Sequence, residues 1–383
     1  MPSRTILFVS HDSKLFGAPR SLFNLIQGIK RYHTEIDVHV ILPYKGLLTD
    51  EFSKSGIKFS IVDFPWTVTR YKAEIPGVKR LVRRLKKIMR TLWLLPNFIR
   101  EVKKINPDYI HSNTSAITTG FLAAWITGKK HIWHIREFGW EDHRQTYDWT
   151  YPVQRFFYNR SALLISISEA IKKLKLTGLK VPVKQIYNGV YFLDELVWPV
   201  REKTGEVISF GIVGGIREAK GQSEAIEAFA EFYKKNNNSR LLIVGHTDMN
   251  AITSLQQLAL QLECSNGVEF VAFEKNIDAV YSRIDILLSC SRSEGMGRSL
   301  LEAMAHGIPV ISKNTGGAVE IVVHGNNGLL YSDVADLSSK METIISNESY
   351  AQYSSNAIEW VKKNFTIENY TQNVVAAMSS LPG

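Results

Sequence analysis

The stretch from Ser291 to Gly317, S-R-S-E-G-M-G-R-S-L-L-E-A-M-A-H-G-I-P-V-I-S-K-N-T-G-G, limits what this chain can fold into more than any other. It follows Ile284 to Leu288, a short apolar run that reads as a buried strand. Gly295 and Gly297 then let the backbone turn sharply with its N–H groups exposed. Ser299 to His306 carries a helical pattern, Gly307 stands at the C-terminal cap, and Pro309 opens the next apolar strand, Ile308 to Ile311. Strand, glycine turn, helix N-terminus and strand make an anion site, because unpaired N–H groups and the helix dipole point at one spot. Two carboxylates bracket it, Glu294 in the turn and Glu302 in the helix, with seven residues between them. On charge alone they read equally as a loop glutamate and a helix-surface glutamate.

The same rhythm runs through the rest of the chain. Arg4 to Ser10, Ile36 to Leu42, Ile57 to Val62, Asp108 to Ser112, His131 to Ile135 and Leu163 to Ser168 read as strands separated by helices, which predicts a doubly wound parallel sheet. Ser21 to Ile29 reads as the first helix, with Gly17 and Ala18 in the loop before it. Residues 191 to 206 are polar and contain Pro199 and Gly205, and Val207 to Val213 then restarts the series. The expected architecture is α/β: a first domain over 1–190, a linker over 191–204, a second domain over 205–365, and a C-terminal helix, 366–383, crossing back to the first.

Glu294 and Glu302, with the glycines between them, resemble the E-x7-E signature of retaining glycosyltransferases of the GT-B fold, family 4 in particular. The resemblance implies two Rossmann-like doubly wound domains facing each other across a cleft. It implies Glu302 on the ribose of a nucleotide sugar, Glu294 beside the donor sugar, and the amides of Gly295, Met296 and Gly297 near sugar hydroxyls or phosphate. Gly214 to Gln222, G-G-I-R-E-A-K-G-Q, is similar to the family's diphosphate-gripping turn. Lys220 matches there, Gly215 stands where an arginine is expected, and Arg217 is the candidate to replace its charge. Gly17 resembles the small-residue loop that approaches the phosphate or the acceptor. His134, in H-I-R-E, looks like the family's first-domain histidine, and a satisfied core histidine is the other reading. Glu274-Lys275 resembles the segment against the base. Tyr187 to Val190, Thr315 to Gly317 with Glu320, and Gly325 to Tyr331 match further family turns. The spacing G-I-V-G-G lacks the G-x-G-x-x-G fingerprint and no acid ends the next strand, which excludes a nicotinamide dinucleotide enzyme.

The net charge of +9 has one source, since Lys79 to Lys104 holds ten Lys or Arg against Glu101. Apolar residues from Leu81 to Val102 recur there three and four apart, with Pro96 expected to break or kink the helix. A basic amphipathic helix with Trp93 near its end suits an anionic bilayer. A helix packed on the sheet with a solvated basic face is the competing reading. Nucleic acid is not expected, because the aromatics are not interleaved as a stacking platform. Cys264 and Cys290 are the only cysteines, so no disulfide framework or cysteine-rich metal site is expected. No run is apolar enough for a membrane span or secretory signal, which predicts a cytoplasmic protein, peripheral on the inner face of the plasma membrane.

The expected activity is transfer of a sugar from a UDP- or GDP-linked donor to an acceptor, a lipid-linked glycan of bacterial surface polysaccharide, with no cofactor. No D-x-D with a supporting strand is present, so no metal is expected. A transferase acting on a soluble small molecule, a GT-B sugar-nucleotide epimerase and a non-catalytic nucleotide-binding scaffold are the alternatives.

Overall fold

The structure, a computed structural model, describes residues 4–201, 207–245, 249–272, 274, 276–345 and 347–381. It separates into two compact units, Met1–Gly189 with Ile367–Gly383, and Val190–Thr366.

The first unit carries β1 (Arg4–Val9), β2 (Ile36–Leu42), β3 (Lys58–Ile61), β4 (Val68–Arg70), β5 (Tyr109–Ser112), β6 (Lys130–Ile135), β7 (Gln145–Tyr147), β8 (Leu163–Ser166) and β9 (Val183–Gln185). Seven of these form a parallel sheet in the order β3-β2-β1-β5-β6-β8-β9, and β4 pairs antiparallel with β7. Its helices are α1 (Gly17–Tyr32), α2 (Leu47–Lys54), α3 (Gly77–Ile105), α4 (Thr119–Thr127), α5 (Trp140–His143), α6 (Tyr151–Tyr158) and α7 (Glu169–Ile171), the last running into a π-helical turn, Lys172–Leu176. The central strands read as continuous apolar runs because helices cover both faces of the sheet. Phe8 and Val40 pack with Leu22, Leu25 and Ile26 of α1 and with Tyr370 and Val374 of the C-terminal helix, Ile367–Ser379.

Two local expectations change. The first helix starts at Gly17, not Ser21, so Gly17 is its first residue, with φ +49° and open space where a side chain would stand. The basic helix also runs on through Pro96 to Ile105. A proline there removes one intrahelical bond, and the helix persists because Leu94, Leu95, Phe98 and Val102 around it are buried. Its N-terminal half behaves differently: Val78, Leu81, Leu85, Met89, Leu92 and Trp93 are exposed, Trp93 at 78%. The basic residues divide as well. Arg84 donates to Thr146 Oγ1 at 2.6 Å, Lys87 to the Val68 carbonyl at 2.6 Å, and Arg90 pairs with Asp63 at 2.8 Å. Part of the charge excess therefore ties α3 to the β4–β7 ribbon and to the loop after β3.

The second unit carries β10 (Ile208–Val213), β11 (Ser239–Val244), β12 (Val268–Val271), β13 (Ile286–Ser289), β14 (Val310–Lys313) and β15 (Leu329–Tyr331). They form a parallel sheet in the order β12-β11-β10-β13-β14-β15. Its helices are α8 (Gln222–Lys235), α9 (Met249–Gln261), α10 (Ile277–Tyr281), α11 (Arg298–Ala305), α12 (Ala318–Ile321), α13 (Val334–Ile344) and α14 (Asn347–Asn364). Phe210, Phe229, Phe232, Leu241 and Ile243 lie at the centre of its core. In both sheets the strand order reverses beside the first strand, between β1 and β5 and between β10 and β13. Loops leaving the carboxyl ends of those strands diverge there, which is where open α/β sheets bind ligands. No helix among the described residues is long and apolar enough to cross a membrane.

Candidate active site

In the second unit, the loops after β10, β13 and β14 meet at the reversal point. Gly221 has φ +70°, and a Cβ there would stand 2.2 Å from the Cys290 carbonyl oxygen, so only glycine lets the first loop lie on the second. The Arg292 amide donates to the Ala219 carbonyl at 3.1 Å across the same contact. The third loop closes from the other side, where the Gly317 amide donates to the Glu294 carbonyl at 2.8 Å. Thr315 Oγ1 donates to the Ser291 carbonyl at 3.2 Å.

This packing brings together residues far apart in sequence. Lys220 Nζ donates to Glu294 Oε2 at 2.6 Å, with both side chains about one-fifth exposed, at 23% and 21%. Burial alone would raise the Glu294 carboxyl, but Lys220 above all, with Ser291 and Arg217, outweighs it and holds the group below the ordinary carboxylate range. Arg217 thus acts on the same carboxylate as Lys220, while Gly215, in the place of the expected arginine, offers its carbonyl to Gln222 Nε2 at 3.2 Å. Met296 is buried, and Gly297, with φ +83°, is the N-cap of α11, whose N-terminus therefore opens beside Glu294.

Because its folded-state pKa is depressed, Glu294 contributes stability that is present above the unfolded carboxyl value and lost as the pH falls through the folded one. The melting-temperature gap between wild type and Glu294→Gln is therefore expected to hold from pH 7 down to the ordinary carboxylate range and to narrow steadily as the pH falls further. A gap unchanged down to about pH 3 contradicts an ionised Glu294.

Glu302 lies one turn further along α11. Arg298 Nε donates to its Oε1 at 2.7 Å and the Tyr281 hydroxyl to its Oε2 at 3.1 Å. Sequence reading passed over both donors; the (i, i+4) spacing of Arg298 was the available signal, whereas Tyr281 carries none. His306 extends the set, its Nδ1 2.7 Å from the Glu302 carbonyl and its ring stacked on Trp198 at 4.4 Å. Beside β11, β12 and α10 lies a cavity of 280 Å³ lined by Leu242, Val244, Val271 and Val280, with Glu274 and Arg283 also on its wall. Lys275 lies outside the described residues.

In the first unit, Gly17 opens α1 after the loop that leaves β1, while His134 is 0% exposed within β6. Its Nδ1 is 3.3 Å from both His111 Nε2 and Arg136 Nη2, and burial, then Arg136, pushes its pKa far down, leaving a neutral ring. The next residues carry the polar chemistry at this strand's open end. Arg136 donates to Asn113 Oδ1 at 2.9 Å and to the Tyr370 hydroxyl at 2.7 Å, and also to Asn188, so it ties β5 and the N-G-V turn to the C-terminal helix. The structure therefore gathers Glu294, Lys220, Arg217, Gly295, Met296, Gly297 and Glu302 around one loop and helix, and places Gly17 and His134 in the first unit.

The sequence model of the group 1 glycosyl transferases matches residues 199–360, and that of Glycosyltransferase Family 4 matches residues 17–191. The chain is 29% identical over 185 residues to the N-acetyl-alpha-D-glucosaminyl L-malate synthase of Bacillus anthracis, a match spanning 46% of this chain and 48% of that protein. It thus spans about half the length of that relative. It is 24% identical over 358 residues to the alpha-monoglucosyldiacylglycerol synthase of Acholeplasma laidlawii, covering 84% of this chain and 82% of that one. In fold it is similar to HepE of Anabaena, solved in complex with UDP-glucose, with a TM-score of 0.78 at 22% identity over 98% of this chain and 100% of that one. Two family models that take up most of the chain, and two sheets with the strand order of a Rossmann domain, give one conclusion: the chain belongs to the family 4 glycosyltransferases and is a glycosyltransferase of the GT-B fold.

Proposed function

We propose that this glycosyltransferase is a retaining enzyme that takes a sugar from a UDP- or GDP-linked donor held by the second unit. The observation that carries the reading is the meeting of Lys220, Arg217 and Glu294 beside the N-terminus of α11 at the sheet's reversal point. A departing nucleoside diphosphate develops negative charge. Lys220, with three N–H donors, can stay on Glu294 while it binds a phosphate oxygen, and Arg217 and the helix N-terminus add to the same field. This requires no resident metal, so transfer is expected to be unchanged by EDTA.

In this reading the bond between the anomeric carbon and the β-phosphate oxygen breaks. The acceptor oxygen bonds to that carbon on the same face, and the acceptor's proton passes to the leaving phosphate. Glu294, its Oε2 held by Lys220 at 2.6 Å, positions the sugar and stays unmodified in this reading. Glu302, held by Arg298 and Tyr281, would take the ribose hydroxyls, and the 280 Å³ cavity near Glu274 the base. Two measurements test this. Among UDP, GDP, ADP and CMP, one nucleoside diphosphate is expected to raise the melting temperature, by about 2.7 kcal/mol of stabilisation at a hundred times its Kd. Proton NMR of the transfer product is expected to show the donor's anomeric configuration; an inverted product rules out the retaining reading.

The acceptor in this proposal is a lipid-linked glycan of bacterial surface polysaccharide, met at the inner, anionic face of the cytoplasmic membrane. Support comes from α3, whose N-terminal half exposes Leu81, Leu85, Met89, Leu92 and Trp93 on a helix that also carries Lys79, Arg83 and Lys86. Arg84, Lys87 and Arg90 are engaged within the unit and are the wrong residues to mutate. Each cation near such a surface is worth about 1 kcal/mol, so Lys79, Arg83 and Lys86 changed together to Gln should weaken flotation with phosphatidylglycerol vesicles by roughly a hundredfold. Leu85→Glu with Trp93→Glu should do the same. Unchanged flotation in both variants would favour a soluble acceptor.

A further inference from the structure

The far end of α11 holds a buried histidine whose hydrogen bonds ask for more protons than a neutral ring carries. His306 is the C-cap of α11 and is 1% exposed. Its Nδ1 lies 2.7 Å from the Glu302 carbonyl oxygen, and its Nε2 lies 3.0 Å from Oδ1 of Asp278, in the first turn of α10. A carbonyl and a carboxylate only accept, and a neutral imidazole has a single N–H to give. The doubly protonated ring satisfies both. With one proton on Nδ1, the ring keeps the Glu302 carbonyl and faces Asp278 with a lone pair.

The surroundings suit a cation. Trp198 and Tyr281 lie against the ring with centroids 4.4 and 5.0 Å away at shallow interplanar angles, within cation–π reach, and Tyr191 meets it edge-on at 5.7 Å. Positive charge at a helix C-terminus also complements the helix dipole. Asp278 is its one ion-pair partner among the described residues and is half-exposed. On α11 the Glu302 side chain is turned away to Arg298 and Tyr281. From α14, which packs on α11, Ser354 and Ile358 come up against the neighbouring Gly307.

Both ends of this ring bear on the donor site. The helix α10 that Asp278 begins also carries Tyr281, whose hydroxyl donates to Glu302 Oε2, and Ala279 and Val280, which line the 280 Å³ cavity. The imidazole thus joins the last turn of α11 to the first turn of α10, while Tyr281 joins the same two helices one turn back.

We propose that His306, protonated on both nitrogens, is a positioning residue for the donor: it pins α10 to α11 so that Tyr281 holds Glu302 and the cavity wall keeps its place. Loss of the Nε2 proton to solvent frees Asp278 and loosens donor binding. This rests on the donor-site reading above. His306 touches no substrate and exchanges no proton with it.

The test is isothermal titration of the whole protein with UDP-glucose and with GDP-mannose, from about pH 5.5 to about 8.5, the range in which histidine changes charge. The diphosphate of these probes is esterified at both ends and keeps one charge state throughout. Wild-type affinity for the probe that binds should fall by up to about tenfold as the pH rises, the worth of one charge-assisted hydrogen bond. His306→Gln should bind with the weaker, alkaline affinity at every pH. That variant alters a buried residue and can fail to fold, so Asp278→Asn, at a half-exposed position, decides independently. An amide at 278 accepts from a protonated Nε2 and donates to a bare one, so it holds the ring in either state. Asp278→Asn should therefore keep the stronger, acid-side affinity across the whole range, which a merely structural role does not predict. A flat wild-type profile, or a wild-type slope retained in Asp278→Asn, overturns the inference and leaves the transferase reading standing. Binding of neither probe to wild type removes the donor-site reading and this inference with it.

Discussion

Lys220→Ala lowers kcat/KM for transfer by about 10²–10³ and abolishes the nucleoside diphosphate thermal shift, as expected when one preorganised donor to developing charge is removed. Two effects act together. The cation that meets the phosphate is lost, and Glu294 loses its 2.6 Å partner in a buried setting. Burial alone raises that carboxyl, so the variant's Glu294 should titrate higher than in wild type, and the acid limb of the pH–rate profile should move up. Lys220→Arg keeps the charge but replaces a compact ammonium with a planar fork; partial recovery is expected, since the 214–222 loop is built around the shorter head. Steady-state kinetics on both variants checks this. A Lys220→Ala enzyme within about threefold of wild type would remove Lys220 from the donor site and with it the main support for the proposed mechanism.

Gly317→Ala should be nearly as damaging, although the residue carries no chemistry. Its own backbone angles suit any amino acid, so no backbone strain is involved. The cost is steric: a Cβ at 317 would stand 2.4 Å from the Gly295 carbonyl oxygen and 3.0 Å from Met296 Cα. The Glu294–Gly297 turn must then retreat by several tenths of an ångström, and the 2.8 Å bond from the Gly317 amide to the Glu294 carbonyl stretches with it. Misplacement on that scale beside reacting atoms costs up to about a hundredfold in rate. Donor Kd should rise and kcat fall while far-UV circular dichroism stays that of wild type. Gly325→Ala is the control, because its Cβ would meet nothing within 4 Å, though its φ of +77° strains the backbone. Wild-type donor affinity in Gly317→Ala would mean that the two loops can part without consequence for the donor.

The sequence by itself determined the parts that a few neighbouring residues decide. Apolar runs of four to seven residues marked the parallel strands, and the glycines at 295, 297, 316 and 317 marked the turns, because conformational preference is local. The spacing of Glu294 and Glu302 around a helix start was legible for the same reason. Only the tertiary structure decided which cations serve those carboxylates and which charges face outward. Lys220 and Glu294 are 74 residues apart and meet because β10 lies beside β13, an adjacency set by sheet order and invisible in either loop. Arg84, Lys87 and Arg90 of α3 turn to partners in the loop after β3 and in the β4–β7 ribbon, which no count of charges could separate from Lys79, Arg83 and Lys86. The motif left His134 open between a site histidine and a core histidine, and only the packing shows its neighbours, His111, Arg136 and Tyr370. Glu137, after β6, accepts from Thr114 and Ser115 after β5, and its carbonyl accepts from Lys175 of the π-helical turn; a constellation spread that widely leaves no spacing to read.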